Sequence, residues 1–364
     1  MIPSLDPDEK RMYATEKEEN FRWIARILAS QSSYTLAERD RAPTDTEKEL
    51  EELGQFAEIA SNNTVPIAFI LENIKILTQP NFPLQDYHSL QSAVLISEFF
   101  GDVAELHCYV CYRPAQKQLL VATSGTTSPI QAMQDLRFLL IPHPSGTGRV
   151  HTGFQTLYDG LRLKMFAAIQ KGFEDYDVEE LVLTGHSMGG AISYLLALDI
   201  LTGIVPISNH PRVKVATFGA PRAGDEALVT YWREIVKTHR ATHGPQSMVE
   251  LCVKGFNDGV HTLPPYFLGY RHFTPNCFWY AHGNLYSIPP SECEVSLFKF
   301  PPSEHPLLHR KGGHNYYNKH DMEKVLRRLK LVDVKLHDWK DKYRLALELE
   351  LQEPRKSILA RVVL

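Results

Sequence analysis

The sequence predicts an α/β fold, a mostly parallel central sheet with helices on both faces. Three observations predict it. Apolar runs of strand type recur near 103–112, 118–124, 180–184, 213–218 and 248–253, and helix-forming stretches alternate with the later ones. One junction, residues 180–198, passes from such a run through a glycine-flanked turn straight into a helix-forming stretch. At 364 residues with no internal repeat, the chain fits one α/β domain with additions at its ends. The expected division is a helical extension packed on the core over 1–60, the α/β domain over 61–320, and a second helical extension over 321–364.

The elements follow in order. Residues 1–60 are charge-rich, and Phe21, Ile24, Ala25 and Leu28 fall on one helical face; a second helix is expected over 53–60. The strands near 103–112 and 118–124 are joined through Arg113-Pro114-Ala115-Gln116-Lys117, which reads as a hairpin turn. The elbow at 180–198 and the strands 213–218 and 248–253 come next, then a Pro- and aromatic-rich region over 262–306. From 321 to 351 the pattern is one long charged helix with a stripe of Val325, Leu326, Leu329, Leu331 and Val332, continued loosely by Leu345, Leu347 and Leu349. An amphipathic stripe of this kind is expected to pack on the body of the protein.

Composition excludes several classes. A formal charge of -4 with scattered Lys and Arg offers no basic stripe for nucleic acid. No stretch approaches the roughly 18 uninterrupted apolar residues of a membrane-spanning helix. The first ten residues are acidic and polar where a signal peptide has a basic end and an apolar centre, so a cytoplasmic chain is expected. On that expectation the sequon Asn62-Asn63-Thr64 is without consequence. Cys108 and Cys111 make a Cys-x-x-Cys, but they lie in a strand pattern and no second pair follows at metal spacing, so packing explains them.

Chemistry enters at Gly185-His186-Ser187-Met188-Gly189. A serine on a sharp strand-to-helix turn has its hydroxyl exposed at the carboxyl edge of a sheet, and the strained turn needs small neighbours. Such a nucleophile requires a base and an acid to orient it. Asp258 lies in a turn just after the apolar strand 248–253, where a carboxylate can reach an imidazole. Among 16 histidines, His272 and His282 compete for the base, while His314 stands out in the glycine-flanked loop Gly312-Gly313-His314-Asn315. Its choice produces the chain order Ser, Asp, His.

These residues resemble the class 3 lipases, the fungal triacylglycerol-lipase-like branch of the α/β-hydrolases. The resemblance rests on residues 185–191, on Phe218-Gly219-Ala220-Pro221-Arg222-Ala223-Gly224-Asp225, and on Asn257-Asp258 followed by Leu263-Pro264-Pro265. Val150-His151-Thr152-Gly153-Phe154 and His314-Asn315-Tyr316-Tyr317 complete it, all in the family's order. It implies an α/β-hydrolase fold, Ser187 as nucleophile, Asp258 as orienting acid and His314 as general base. It also implies an oxyanion hole from Thr126, in Ser124-Gly125-Thr126-Thr127-Ser128, and the backbone N–H of Met188.

The resemblance places a lid at 129–149, whose Ile130, Met133, Leu136, Phe138, Leu139, Leu140 and Ile141 would cover an acyl pocket and meet a lipid interface transiently; a plain packed helix and loop fits the same stripe. The chain departs from the family's usual residues at Ser124, Gly313, His261 and Thr262. None of these removes a catalytic group. Hydrolysis of lipid esters through an acyl-enzyme is the expected activity, with no metal or organic cofactor. An esterase or acyltransferase on non-lipid esters, or a lipase-like scaffold binding a partner, are the alternatives.

Overall fold

The computed structural model describes residues 21–125, 139–204, 207, 211–281, 283–300 and 313–352. Eight strands form its central sheet: β1 (Val94–Phe100), β2 (His107–Arg113), β3 (Gln118–Thr123), β4 (Glu180–His186), β5 (Arg212–Phe218), β6 (Met248–Gly255), β7 (Cys277–Ala281) and β8 (Asn284–Ile288). Each neighbours its successor in the chain. From β3 to β7 the pairs are parallel; β1, β2 and β3 run antiparallel to one another at one edge, and β8 returns antiparallel on β7 at the other.

Every residue of β2, β3 and β4 is buried, which a sheet covered on both faces requires. Helices α1 (Arg22–Leu28), α2 (Thr44–Ala60), α3 (Thr152–Asp175), α4 (Met188–Leu201), α5 (Glu226–His243), α6 (Met322–Leu329) and α7 (Trp339–Gln352) surround it. Leu157, Leu161, Ile192, Leu195 and Trp232, from α3, α4 and α5, share one core with Val121, Leu183 and Val215. The opposite face carries Leu53 and Phe56 of α2 together with Val325, Leu329, Trp339 and Tyr343. Helix α2 and the two C-terminal helices thus cover the same side of the sheet.

The tail is two helices, α6 and α7, rather than the one long helix expected. Leu347 is buried, but Leu345 and Leu349 are exposed. Cys108 and Cys111 fall on opposite faces of β2, in different cores, and burial pushes each thiol up to about 12. They cannot share a metal. The Asn62 side chain is consumed in its own turn, accepting from Thr64 and Val65 and donating to the Val65 carbonyl.

A smaller four-stranded sheet is made by Leu140–Pro142, Arg149–His151, Gly224–Asp225 and Tyr270–Arg271. These segments belong to the connections that leave the carboxyl ends of β3, β5 and β6. They therefore stand on the edge where ligands of parallel sheets are bound.

Candidate active site

Ser187 sits between β4 and α4 with φ 59 and ψ -131, a conformation that side chains rarely tolerate. Its surroundings hold it there. The Ser187 N–H donates to the Phe218 carbonyl at the end of β5, 2.8 Å away. A methyl on Gly189 would run into the Thr123 carbonyl and one on Gly185 into the Gly189 backbone, so the turn closes only with glycine at both places. Gly125, after β3, comes so near that a methyl there would meet Ser187 Cβ at 3.0 Å. Met188 opens α4, and its N–H is one of the first-turn donors that a helix leaves to other partners. Thr126 and His282 lie outside the described residues.

Asp258 and His314 are brought together from loops 56 residues apart. The His314 Nδ1 stands 3.2 and 3.1 Å from the two carboxylate oxygens. Tyr317 donates its hydroxyl to Oδ2 at 2.5 Å, and the Val260 N–H donates to Oδ1 at 2.7 Å. A second imidazole, His261, has its Nδ1 3.8 Å from Oδ2, too far for a hydrogen bond but near enough to act through charge. Burial would raise the carboxyl, yet His314 and His261 outweigh it and hold Asp258 well below the usual carboxylate range. His186 is pushed down to about 3 by burial, so it is neutral, and its Nε2–H donates to the His314 carbonyl at 2.7 Å. Gly313 N–H donates to the Phe256 carbonyl and anchors the same loop. The His314 Nε2 is buried and has no hydrogen-bond partner among the described residues, the Ser187 hydroxyl included.

The arrangement can hold an imidazole in one tautomer, with Nδ1–H on the carboxylate and Nε2 ready to accept a proton. His272 is not so placed. Its Nε2 contacts the His261 carbonyl at 3.1 Å rather than a carboxylate, and burial pushes it well below its ordinary value.

Other motif residues turn out to be structural. His151 caps α3, its Nδ1 accepting from Gly153 N–H at 3.1 Å, and burial keeps it neutral at about 4. Asp225 caps α5 through Leu228 N–H. Arg222 clamps the segment after the acid, donating to the Thr262 and Pro264 carbonyls while paired with Glu294 at 2.7 Å. Among the described residues no group of histidines, cysteines and carboxylates has the arrangement to hold a metal ion.

Residues missed in the sequence include Tyr317 and His186. Both lie inside the motifs quoted above, Tyr317 three positions beyond His314, but their partners are visible only in space. Of the region 129–149, residues 140–142 and 149–151 are strands of the small sheet and Leu139 is exposed. Residues 129–138 lie outside the described residues.

Residues 120–249 match the sequence model of the family described as Lipase (class 3). A secreted mono- and diacylglycerol lipase of Fusarium solani is 26% identical over 53% of this chain and 53% of its own length. A lipase of Rhizomucor miehei is 27% identical over 47% of this chain and 44% of its own length. The chain spans about half the length of the curated relatives it matches.

Among solved structures, a triacylglycerol lipase whose catalytic centre is described as a serine protease triad superposes with a TM-score of 0.58 at 21% identity. The match covers 78% of this chain and 98% of that one. A fungal lipase-inhibitor complex reaches 0.59 at 21% identity, over 78% and 97%. The fold is the α/β-hydrolase fold of these lipases. The expectation of a cytoplasmic chain is corrected here: relatives from Fusarium solani and Malassezia globosa are named secreted lipases. It rested on the first ten residues, and where a given chain begins does not show what precedes it.

Proposed function

Since the chain belongs to the class 3 lipase family of the α/β-hydrolase superfamily, we propose that it is an extracellular serine hydrolase of lipid carboxylic esters. Ser187 is the nucleophile, His314 the base and Asp258 its orienting acid. The observation that carries this is the Asp258–His314 pair, buried beside a serine whose backbone is held in a strained turn.

His314 Nε2 takes the Ser187 proton as the oxygen attacks the ester carbonyl. The developing oxyanion is met by the Met188 N–H at the positive end of α4 and by Thr126. The imidazolium then protonates the leaving alcohol, and a water activated by the same base releases the acyl group. Asp258, oriented by hydrogen bonds from the Tyr317 hydroxyl and the Val260 N–H, stabilises the imidazolium without accepting its proton.

A lipid surface is the substrate's source in this reading. Tyr266, Phe267 and Leu268 form a turn on the catalytic edge, and they are 49%, 77% and 45% exposed, three large apolar side chains in a row. The test is turnover of p-nitrophenyl esters of increasing acyl length, with and without lipid vesicles. A rise with chain length and a further rise at the interface are expected. Activity confined to short soluble esters would make the protein a carboxylesterase instead, and no turnover of any ester would leave a scaffold.

A further inference from the structure

Asp258 and His314 are far apart in sequence, and the residue that opens helix α1 touches both loops that carry them. The Phe21 ring stands edge-on to the His314 imidazole, centroids 5.3 Å apart and planes at 88°. The imidazole also packs against His186, centroids 4.3 Å apart. The Phe21 carbonyl lies against the acid's turn: a methyl on Gly259, directly after Asp258, would stand 2.5 Å from that oxygen. Phe21 and Ile24 form a small apolar cluster with Val260 and Leu263. Phe21 itself is fully enclosed and has φ 52, a left-handed conformation that a bulky residue keeps only where its surroundings over-determine it.

We propose that Phe21, the residue that opens helix α1, is a positioning residue for the catalytic pair, although it lies outside the family match at 120–249. The ring limits the swing of the His314 imidazole, and the carbonyl seats the turn that fixes Asp258. This rests on the hydrolase reading above. The pair's geometry matters because displacements of about 1 Å in a reacting group cost up to a hundredfold in rate.

The experiment uses the full chain and p-nitrophenyl butyrate, with labelling of Ser187 by a small neutral fluorophosphonate as a second readout. Phe21→Ala should lower kcat and the labelling rate by about tenfold while KM stays within about twofold. Phe21→Leu keeps apolar volume without the ring, and should fold and still lose about threefold in kcat. Ile24→Ala perturbs the same cluster without touching His314; it should lower the melting temperature comparably yet keep kcat within about twofold. Full or increased kcat in Phe21→Leu would overturn the proposal whether or not Phe21→Ala folds, and an increase would mark α1 as a cover. An Ile24→Ala loss equal to that of Phe21→Ala would reduce the contact to packing. A parent protein that neither turns over the ester nor takes the label would fail the hydrolase reading, and this proposal with it.

Discussion

On the proposed role of Ser187 as nucleophile, Ser187→Ala removes the oxygen that would carry the acyl group, and turnover of p-nitrophenyl butyrate should fall on the order of 10⁶-fold with the melting temperature retained. His314→Ala should cost at least about 10³ in kcat and His272→Ala much less, because of the two only His314 is hydrogen-bonded to Asp258. A reversed order, read by the same assay, would relocate the base. Tyr317→Phe takes a hydrogen bond from a buried carboxylate. Hydrogen bonds to charged groups are worth about 1.5–3 kcal/mol, so a loss of that size should appear in urea unfolding, with a smaller loss in kcat.

Helix α2 holds the segment that follows His314 through Glu58, which is buried and accepts from Tyr87, from Asn318 Nδ2 and from His320 Nδ1 at 3.1 Å. Burial pushes the His320 imidazole down, but Glu58 first, then Glu51 and Asp86, outweigh it and raise it. A raised value in the folded state means the pair's stabilisation is fully present below the unfolded value of about 6.5 and is lost as pH rises through the folded one. As pH rises above about 6.5, the parent's melting temperature should therefore fall more steeply than that of His320→Gln. Parallel curves would show that the pair contributes nothing.

The elbow was legible in the sequence because its constraint is local: Gly185 and Gly189 lie within two residues of Ser187, and apolar runs flank them. The Glu58 link was not, since its partners lie 260 and 262 positions away among 16 histidines. Strands β7 and β8 were hidden for a related reason. Cys277–Ala281 is an aromatic run inside a Pro-rich region, and its pairing with β6 is set by tertiary contact rather than by alternation. The tail read as one helix because charge and periodicity continue across 330–338, while the packing of Val332 and Trp339 on the core needs a break there.

At the scale of the molecule, the connections leaving β3, β5 and β6 make a rim on the carboxyl edge of the sheet, and the apolar turn at 266–268 belongs to that rim. Phe267→Ser should weaken sedimentation with phosphatidylcholine vesicles several-fold while leaving turnover of a soluble short ester unchanged. Equal sedimentation would remove the turn from the interface. Replacing Phe138 and Leu139 together with serine separates a moving cover from a fixed wall. A cover predicts that the activity jump at the substrate's solubility limit weakens, because the interface stabilises the open state by burying those side chains.

The most direct measurement is mass spectrometry of the protein after reaction with the small fluorophosphonate, followed by peptide mapping. A base-activated serine takes one equivalent, so a single adduct on the peptide containing Ser187 is expected, and it should form far more slowly in folded His314→Ala. No adduct, an adduct on another residue, or labelling of Ser187 at the same rate without His314 would contradict a serine hydrolase built on this pair.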